Sequence, residues 1–268
     1  MKPISKTAFY CAAVRMWDAE SRRPAIGDSY AKSFLTGDGL RLVEGFRKFK
    51  NQNGSNVARH RLIDDILRDE LAEDHRRLVV IIGAGFDSRA FRMKGGSWVE
   101  LDEPAVIDHK NACLPVAKCP NPLERIPIEF GTESLEAKLA PYAGQRHVTV
   151  VLEGVLLYLE SAMIEEMLET LKHAFPRHHL VCDLATSNFV ERYGQGMERR
   201  FAELGASFKY LAGNPEALFL AHGYERLAHL SVARHARELK LIQPPMFLLN
   251  TILKPLADGY SIYVFGAP

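Results

Sequence analysis

"RLVVIIGAGFDSRAF", residues 77–91, carries an apolar strand directly into a Gly-Ala-Gly turn, with a carboxylate two residues later. In an open parallel sheet, ligands bind beyond the carboxyl ends of the strands, and Gly83 and Gly85 let a ligand approach the backbone closely. A phosphate ligand is disfavoured because Ser88 stands where a dinucleotide-binding turn has its third glycine. Asp87, taken as an unpaired carboxylate, would also repel phosphate. The segment therefore predicts an α/β fold that binds a ligand with a cationic centre.

Strands and helices alternate along the chain. Four further runs, SWVELD, RIPIEF, VTVVLEGVLLYL and HLVCDLAT, are largely apolar, which is typical of a parallel sheet covered by helices on both faces. We expect a single domain: a helical cap over residues 1–75, a ligand-binding core over 76–185, a helical insertion over 186–213 and the last strands of the core over 214–268. The cap and the insertion are expected to form a lid.

Composition excludes several classes of protein. The 268 residues are 47% hydrophobic, which is enough for a full core, and the net charge of +1 gives no broad basic surface for nucleic acid or an anionic membrane. No apolar run reaches the roughly 20 residues of a membrane span. The four cysteines form no C-x-x-C pair, which argues against a zinc site and a disulfide scaffold. A reduced, cytoplasmic enzyme fits these features best.

The strand WVELD ends in a second carboxylate, Asp102. An acceptor side chain at this edge of the sheet suits the hydroxyl groups of a ribose. Two alternatives stay open: Asp102 caps the helix that begins near Pro104, or Glu100, on the same face of the strand, takes the ribose role. The Gly-Ala-Gly turn favours the ribose interpretation of Asp102.

Three blocks in combination, VVIIGAGFDSRAFR, WVELDEPAVIDHK and VVLEGVLLYL, resemble the leucine carboxyl methyltransferase family, which includes tetracenomycin-type polyketide carboxyl methyltransferases. The resemblance covers residues 5–185 and extends more loosely beyond. It implies a class I methyltransferase fold, a Rossmann-like sheet of seven strands with the last strand antiparallel, and S-adenosyl-L-methionine as cofactor. A sulfonium and an amino acid in place of pyrophosphate would explain both Asp87 in the first block and Ser88.

The resemblance also implies roles for individual residues. It assigns Gly83 to the methionine end of the cofactor, Asp102 to the ribose and Arg59 to the methionine carboxylate. Gly85 and Asp87, in the same turn as Gly83, are also predicted to bind the cofactor. A planar guanidinium pairs well with a carboxylate. Arg61, on the same predicted helix, is the alternative for this role.

Four more residues complete the predicted site. Glu129 and Phe130 stand where the family usually has Asp-Leu at the adenine, so the acceptor is kept with one added methylene. Glu153 interrupts an apolar strand and needs a partner there, and the resemblance places it at the methionine ammonium and the transferred methyl group. Tyr158 walls the same pocket or belongs to the core. Glu153 and Tyr158 are candidates for positioning, and no residue is assigned a catalytic role.

The sequence contains no recognisable Ser-His-Asp or Cys-His arrangement, and we interpret His173, His178 and His179 as surface residues rather than a metal site. A carboxylate acceptor is ionised at neutral pH and needs no base. Methylation of a small-molecule carboxylate to a methyl ester is therefore the first expectation. The alternatives are a protein C-terminal carboxylate, a phenol, an NAD-dependent oxidoreductase, and a nucleoside-binding module without turnover.

Overall fold

The computed structural model describes residues 4–267, apart from the side chains of residues 4 and 38. It contains a mixed sheet of seven strands. The strands are β1 (Leu78–Ile82), β2 (Ser97–Asp102), β3 (Leu123–Pro127), β4 (Val148–Leu152), β5 (His178–Ala185), β6 (Glu225–Ser231) and β7 (Tyr260–Gly266).

The strand order is β3-β2-β1-β4-β5-β7-β6. Strands β1 to β5 are parallel, and β7 is antiparallel to both of its neighbours. The chain moves outward from β1 to β3 and then returns to the other side of β1 with β4. The carboxyl ends of β1 and β4 therefore flank the point where the strand order reverses, which is where open α/β sheets bind their ligands.

Thirteen α-helices surround the sheet in the described residues. They are α1 (Thr7–Ala19), α2 (Gly37–Val43), α3 (Lys50–Glu73), α4 (Arg89–Arg92), α5 (Pro104–Cys113), α6 (Leu135–Leu139), α7 (Ser161–Ala174), α8 (Ser187–Phe189), α9 (Gln195–Glu203), α10 (Ala217–Ala221), α11 (Val232–Glu238), α12 (Met246–Leu249) and α13 (Lys254–Asp258). The longest, α3, has 24 residues. Between residues 4 and 267, none of these helices combines the length and apolar character that crossing a membrane requires.

The side chains of β1 are buried on both faces of the sheet, as its unbroken apolar run predicts. Val79 and Ile81 join a core with residues of α1, α3 and α11, whereas Val80 and Ile82 join a second core with residues of α7 and β4. Each such side chain contributes about 1.5–3 kcal/mol when it is fully buried. The two cores hold β1 in place, and this fixes the turn that follows it.

Candidate functional site

A cavity of about 1120 Å³ lies at the carboxyl ends of β1, β2 and β4. Its walls come from the turn after β1, the ends of the neighbouring strands, helices α1 and α3, and the segment that contains α8 and α9. Eight of the nine residues predicted from the sequence line it: Arg59, Gly83, Gly85, Asp87, Asp102, Phe130, Glu153 and Tyr158.

The turn after β1 requires its glycines. Gly83 and Gly85 have φ values of +70° and +46°, a region that other residues rarely adopt. The N–H groups of Gly83 and Ala84 both donate to the carbonyl of Leu101 at the end of β2, at 2.8 and 3.0 Å. A Cβ atom on Gly83 would lie 2.4 Å from a methyl group of Val155. The backbone therefore forms the cavity wall directly.

Asp102 lies at the end of β2 and is bonded to this turn. Its carboxylate accepts hydrogen bonds from the N–H groups of Gly85 at 2.6 Å and Glu103 at 2.7 Å. Burial raises the pKa of Asp102 to about 6, and the two backbone donors offset that rise only in part. Asp102 is thus a largely desolvated acceptor on the cavity wall.

Glu100, the alternative to Asp102, is fully buried and does not line the cavity. Its carboxylate pairs with Lys110 at 2.7 Å and Arg125 at 2.8 Å. Because these cations hold Glu100 inside the protein, the geometry favours Asp102 over Glu100 as the acceptor for a ligand.

Glu153, just beyond the end of β4, is held by three basic side chains. Arg59 Nε donates to it at 3.0 Å, Arg89 Nη1 lies 2.8 Å away, and His60 Nδ1 lies 3.0 Å away. Burial alone would raise the pKa of Glu153, but Arg89, His60 and Arg59 hold it well below its usual range. A buried glutamate at this position needs a partner, and Glu153 has three.

Arg59 reaches the cavity from α3 and connects three acidic or hydroxyl groups. Besides Glu153, its guanidinium donates to the Tyr260 hydroxyl at 3.0 Å and meets Asp183 at 3.5 Å. Tyr260 in turn donates to Asp183 at 2.7 Å. Arg61 points elsewhere: it donates to the acidic side chain one turn along α3 at 2.8 Å, is about one third exposed, and does not line the cavity. The geometry therefore favours Arg59 for a ligand carboxylate.

Asp87 is buried and paired, so the inference that it is an unpaired carboxylate was wrong. It accepts from the backbone N–H of Arg89 at 2.6 Å and forms an ion pair with the Arg89 side chain. Burial raises the pKa of Asp87, and the Arg89 guanidinium more than reverses this effect, so the pKa lies below its usual value. The sequence places Arg89 two residues after Asp87, but no local pattern shows that its side chain turns back to the carboxylate.

The predicted adenine contacts are divided by the end of β3. Phe130 lines the cavity, whereas Glu129 does not. Strand β3 ends at Pro127, and the chain then turns, with the Glu129 N–H donating to the side chain of Glu133 at 2.7 Å. Glu129 therefore lies outside the candidate site, and Phe130 is the one predicted adenine contact that lines the cavity.

Tyr158 belongs to a row of aromatic rings along the cavity. Its ring centroid lies 5.5 Å from that of Phe208, which lies 6.1 Å from Phe201, and Phe201 lies 5.5 Å from Tyr10. All four rings line the cavity. Tyr158 thus forms part of the wall, and the same ring packs against the core.

The prediction that His173, His178 and His179 are surface residues is wrong for His178. His178 is buried in β5, where its ring bonds the carbonyl of Phe175 at 2.7 Å. His179 is half-buried and meets Glu70 at 2.6 Å, whereas His173 is exposed. Strand β5 begins one residue before the run HLVCDLAT, and His178 is therefore part of the sheet.

A different trio, His60, Asp87 and Glu153, has ligand atoms within 4.8 Å of one another, the arrangement of a possible metal site. The guanidinium of Arg89 contacts all three. Arg89 therefore already supplies a positive charge to this position.

Sequence reasoning missed His60, Arg89, Asp183 and Tyr260. Asp183 carried a usable signal, because it interrupts the apolar run HLVCDLA near the end of its strand as Glu153 and Asp102 do in theirs. The carboxylate of Asp183 accepts from the Gly154 N–H at 2.6 Å and so fixes the turn that follows β4.

Comparisons with known proteins identify the family of this chain. The model of the leucine carboxyl methyltransferase family matches residues 8–172, more than half of the chain. A Streptomyces avermitilis protein, provisionally named an S-adenosyl-L-methionine-dependent methyltransferase, is 28% identical over 255 residues and covers 89% of both chains. A similarly named protein from Frankia alni is 32% identical over 209 residues, which are 70% of this chain and 71% of that protein.

Solved structures agree in fold. A DUF574 family protein from Streptomyces avermitilis has a TM-score of 0.59 at 14% identity, over 94% of this chain and 99% of that one. Magnesium protoporphyrin IX methyltransferase from Synechocystis, solved with bound SAH, has a TM-score of 0.51 at 13% identity, over 90% and 99%. The predicted class I methyltransferase fold is confirmed. From the family match and these relatives, the chain belongs to the leucine carboxyl methyltransferase family and is an S-adenosyl-L-methionine-dependent methyltransferase.

Proposed function

We propose that the protein methylates a carboxylate of a small molecule and so forms a methyl ester. The observation that carries this proposal is that the described part of the cavity wall offers no histidine that is free to act as a base. His60 is its only histidine there, and both ring nitrogens lie within 3.0 Å of charged side chains. A carboxylate acceptor needs no base, since it is ionised at neutral pH.

The charged groups of the cavity fit the amino-acid end of the cofactor. Arg59 offers a guanidinium to a carboxylate, and Glu153 beside it offers a carboxylate to an ammonium group. This cation and anion lie side by side, as a zwitterion requires. The turn at Gly83 leaves no room for a side chain, so a ligand there meets the backbone.

The other end of the cofactor meets two further residues in the proposal. Asp102 accepts from the ribose hydroxyl groups, and Phe130 supplies an apolar ring to the adenine. Bound S-adenosylmethionine supplies an electrophilic methyl group on a sulfonium. The cavity walls align the acceptor and exclude water, which are the main contributions an enzyme makes to an in-line displacement.

Two of the tyrosines that line the cavity are poor bases for a phenol acceptor. Burial raises the pKa of both Tyr10 and Tyr158 above the usual value of a phenol, so both stay protonated at neutral pH. They therefore contribute shape and hydrogen bonding. This supports a carboxylate over a phenol as the acceptor.

The experiment incubates the enzyme with methyl-labelled S-adenosylmethionine and a panel of aromatic acids, phenols and C-terminal peptides. We expect label on small acids that mild alkali releases as methanol, at a rate that is flat across neutral pH. Alkali-stable label on phenols, with a rate that climbs toward the phenol pKa near 10, would contradict the carboxyl proposal. Label confined to the peptides would move the acceptor to a protein C-terminus.

A further inference from the structure

His60 connects the cavity to the charged groups behind it. It follows Arg59 on α3, lines the cavity, and has only 1% of its surface exposed. Each ring nitrogen faces one guanidinium and one carboxylate. The nitrogen that carries the ring proton therefore decides which of the two carboxylates can accept a hydrogen bond from His60.

At the cavity end, Nδ1 lies 3.0 Å from Glu153 Oε2 and 2.8 Å from Arg89 Nη2. At the inner end, Nε2 lies 2.9 Å from Arg92 Nη2 and 3.6 Å from Asp64 Oδ1. Hydrogen-bond distance to a carboxylate therefore exists only at the cavity end, because 3.6 Å is too long for a normal bond.

A doubly protonated ring does not suit this position. Both of its N–H groups would face guanidinium nitrogens at less than 3 Å, which donate and do not accept. Burial and Arg89 also lower the pKa of His60, although Glu153 and Asp64 oppose this shift. The ring is therefore neutral at pH 7 and carries one proton.

The two neutral tautomers are not equivalent. With the proton on Nδ1, the ring donates to Glu153, and Nε2 accepts from Arg92. With the proton on Nε2, the bare Nδ1 accepts from Arg89 at 2.8 Å but faces the Glu153 carboxylate, a second acceptor, at 3.0 Å. The Nε2–H group then faces the Arg92 donor at 2.9 Å and has no carboxylate within hydrogen-bond distance, so two contacts are unfavourable. The first tautomer gives both nitrogens a partner and leaves one unfavourable contact, the Arg89 Nη2 donor 2.8 Å from Nδ1, and this guanidinium nitrogen still donates to the His60 carbonyl at 3.0 Å.

We propose that His60 is a positioning residue of the cofactor site, whose neutral Nδ1–H tautomer donates to Glu153 and sets the direction in which this carboxylate faces the cavity. The inference rests on the proposed function, because that function assigns Glu153 to the methionine ammonium. It concerns how the chain orients its own glutamate before any ligand arrives.

The first test uses the unmodified protein without ligand. Proton–nitrogen correlation spectra of ¹⁵N-histidine-labelled enzyme distinguish a protonated ring nitrogen from an unprotonated one, and comparison with the His60→Gln spectrum assigns the His60 signals. We expect a neutral His60 with the proton on Nδ1 at pH 7. A proton on Nε2, or on both nitrogens, overturns the inference whatever the variants do.

The second test compares two amide variants by calorimetry with S-adenosylhomocysteine. His60→Asn places an amide nitrogen near the position of Nδ1, whereas His60→Gln places its amide near Nε2. We expect His60→Asn to bind within about threefold of the original enzyme, and His60→Gln at least about tenfold more weakly, the effect of one hydrogen bond to a charged group. Equal affinities of the two variants overturn the inference. If the unmodified enzyme itself fails to bind S-adenosylhomocysteine, the proposed function fails, while the spectra still decide the tautomer.

Discussion

Arg59→Lys retains the positive charge at the cavity and removes the planar fork that carries it. The guanidinium contacts Glu153 and Tyr260 at 3.0 Å each, from two different nitrogens. A lysine amine on an unbranched chain reaches one of them. Glu153 keeps Arg89 and His60 as partners, so the variant loses about one charge-assisted bond, or about 1.5–3 kcal/mol of unfolding free energy.

Cofactor affinity should fall by a similar free energy. Under the proposed function, the methionine carboxylate binds the Arg59 fork, and losing one of two bonds to it weakens binding about 10-fold to 150-fold. Calorimetry with S-adenosylhomocysteine measures the affinity, and urea unfolding measures the stability. Arg61→Lys is the matched control on the same helix, since Arg61 lies outside the cavity in a partly exposed ion pair worth about 0–1 kcal/mol.

The two variants together decide the assignment. A folded Arg59→Lys protein that binds as tightly as the original would refute the role of the fork. A loss of affinity in Arg61→Lys that equals the loss in Arg59→Lys would show that the effect comes from α3 as a whole.

Two other features of the site give separate expectations. The pKa of Asp102 is raised to about 6, so the carboxylate is protonated below this pH and is no longer an ionised acceptor. The affinity for S-adenosylhomocysteine should therefore rise from pH 5 to pH 7. In Asp102→Asn the affinity should be nearly constant over this pH range. A rise of the same size in Asp102→Asn would assign the titration to another group. Gly83→Ala should cost more unfolding free energy than Gly144→Ala: both glycines have φ values above +60°, which costs about 1–2 kcal/mol, but only at Gly83 does the new Cβ meet Val155, which adds about 1–3 kcal/mol. Equal melting temperatures of the two variants would show that Val155 moves away freely.

Local patterns predicted the sheet and its ligand edge well. The run ending at Gly83, and the carboxylates Asp102 and Glu153 at the ends of apolar strands, each carry their signal within a few residues. The burial of a strand and the conformation of a glycine depend mainly on neighbouring residues, so these positions could be predicted from the sequence. The family resemblance then supplied Arg59, which no local pattern distinguishes from Arg61.

The pairing of charged groups could not be predicted in the same way. Arg59 meets Asp183 and Tyr260, which are 124 and 201 residues away in the chain. Which carboxylate an arginine contacts depends on how the helices pack on the sheet. The patterns in a single sequence do not show this packing. The same reason explains the error at His178, whose burial depends on where its strand begins to pair with β4.

Tyr260 is the first residue of β7, the strand that lies between β5 and β6. Strand β6 is connected to the rest of the sheet through β7, although β6 comes before β7 in the chain. Contacts at such long sequence separation close slowly. The cofactor site should therefore become competent late in folding, when β7 inserts and brings the Tyr260 hydroxyl to Arg59. Until then β5 presents an open edge of the kind that pairs with other chains, and the insertion of β7 covers that edge.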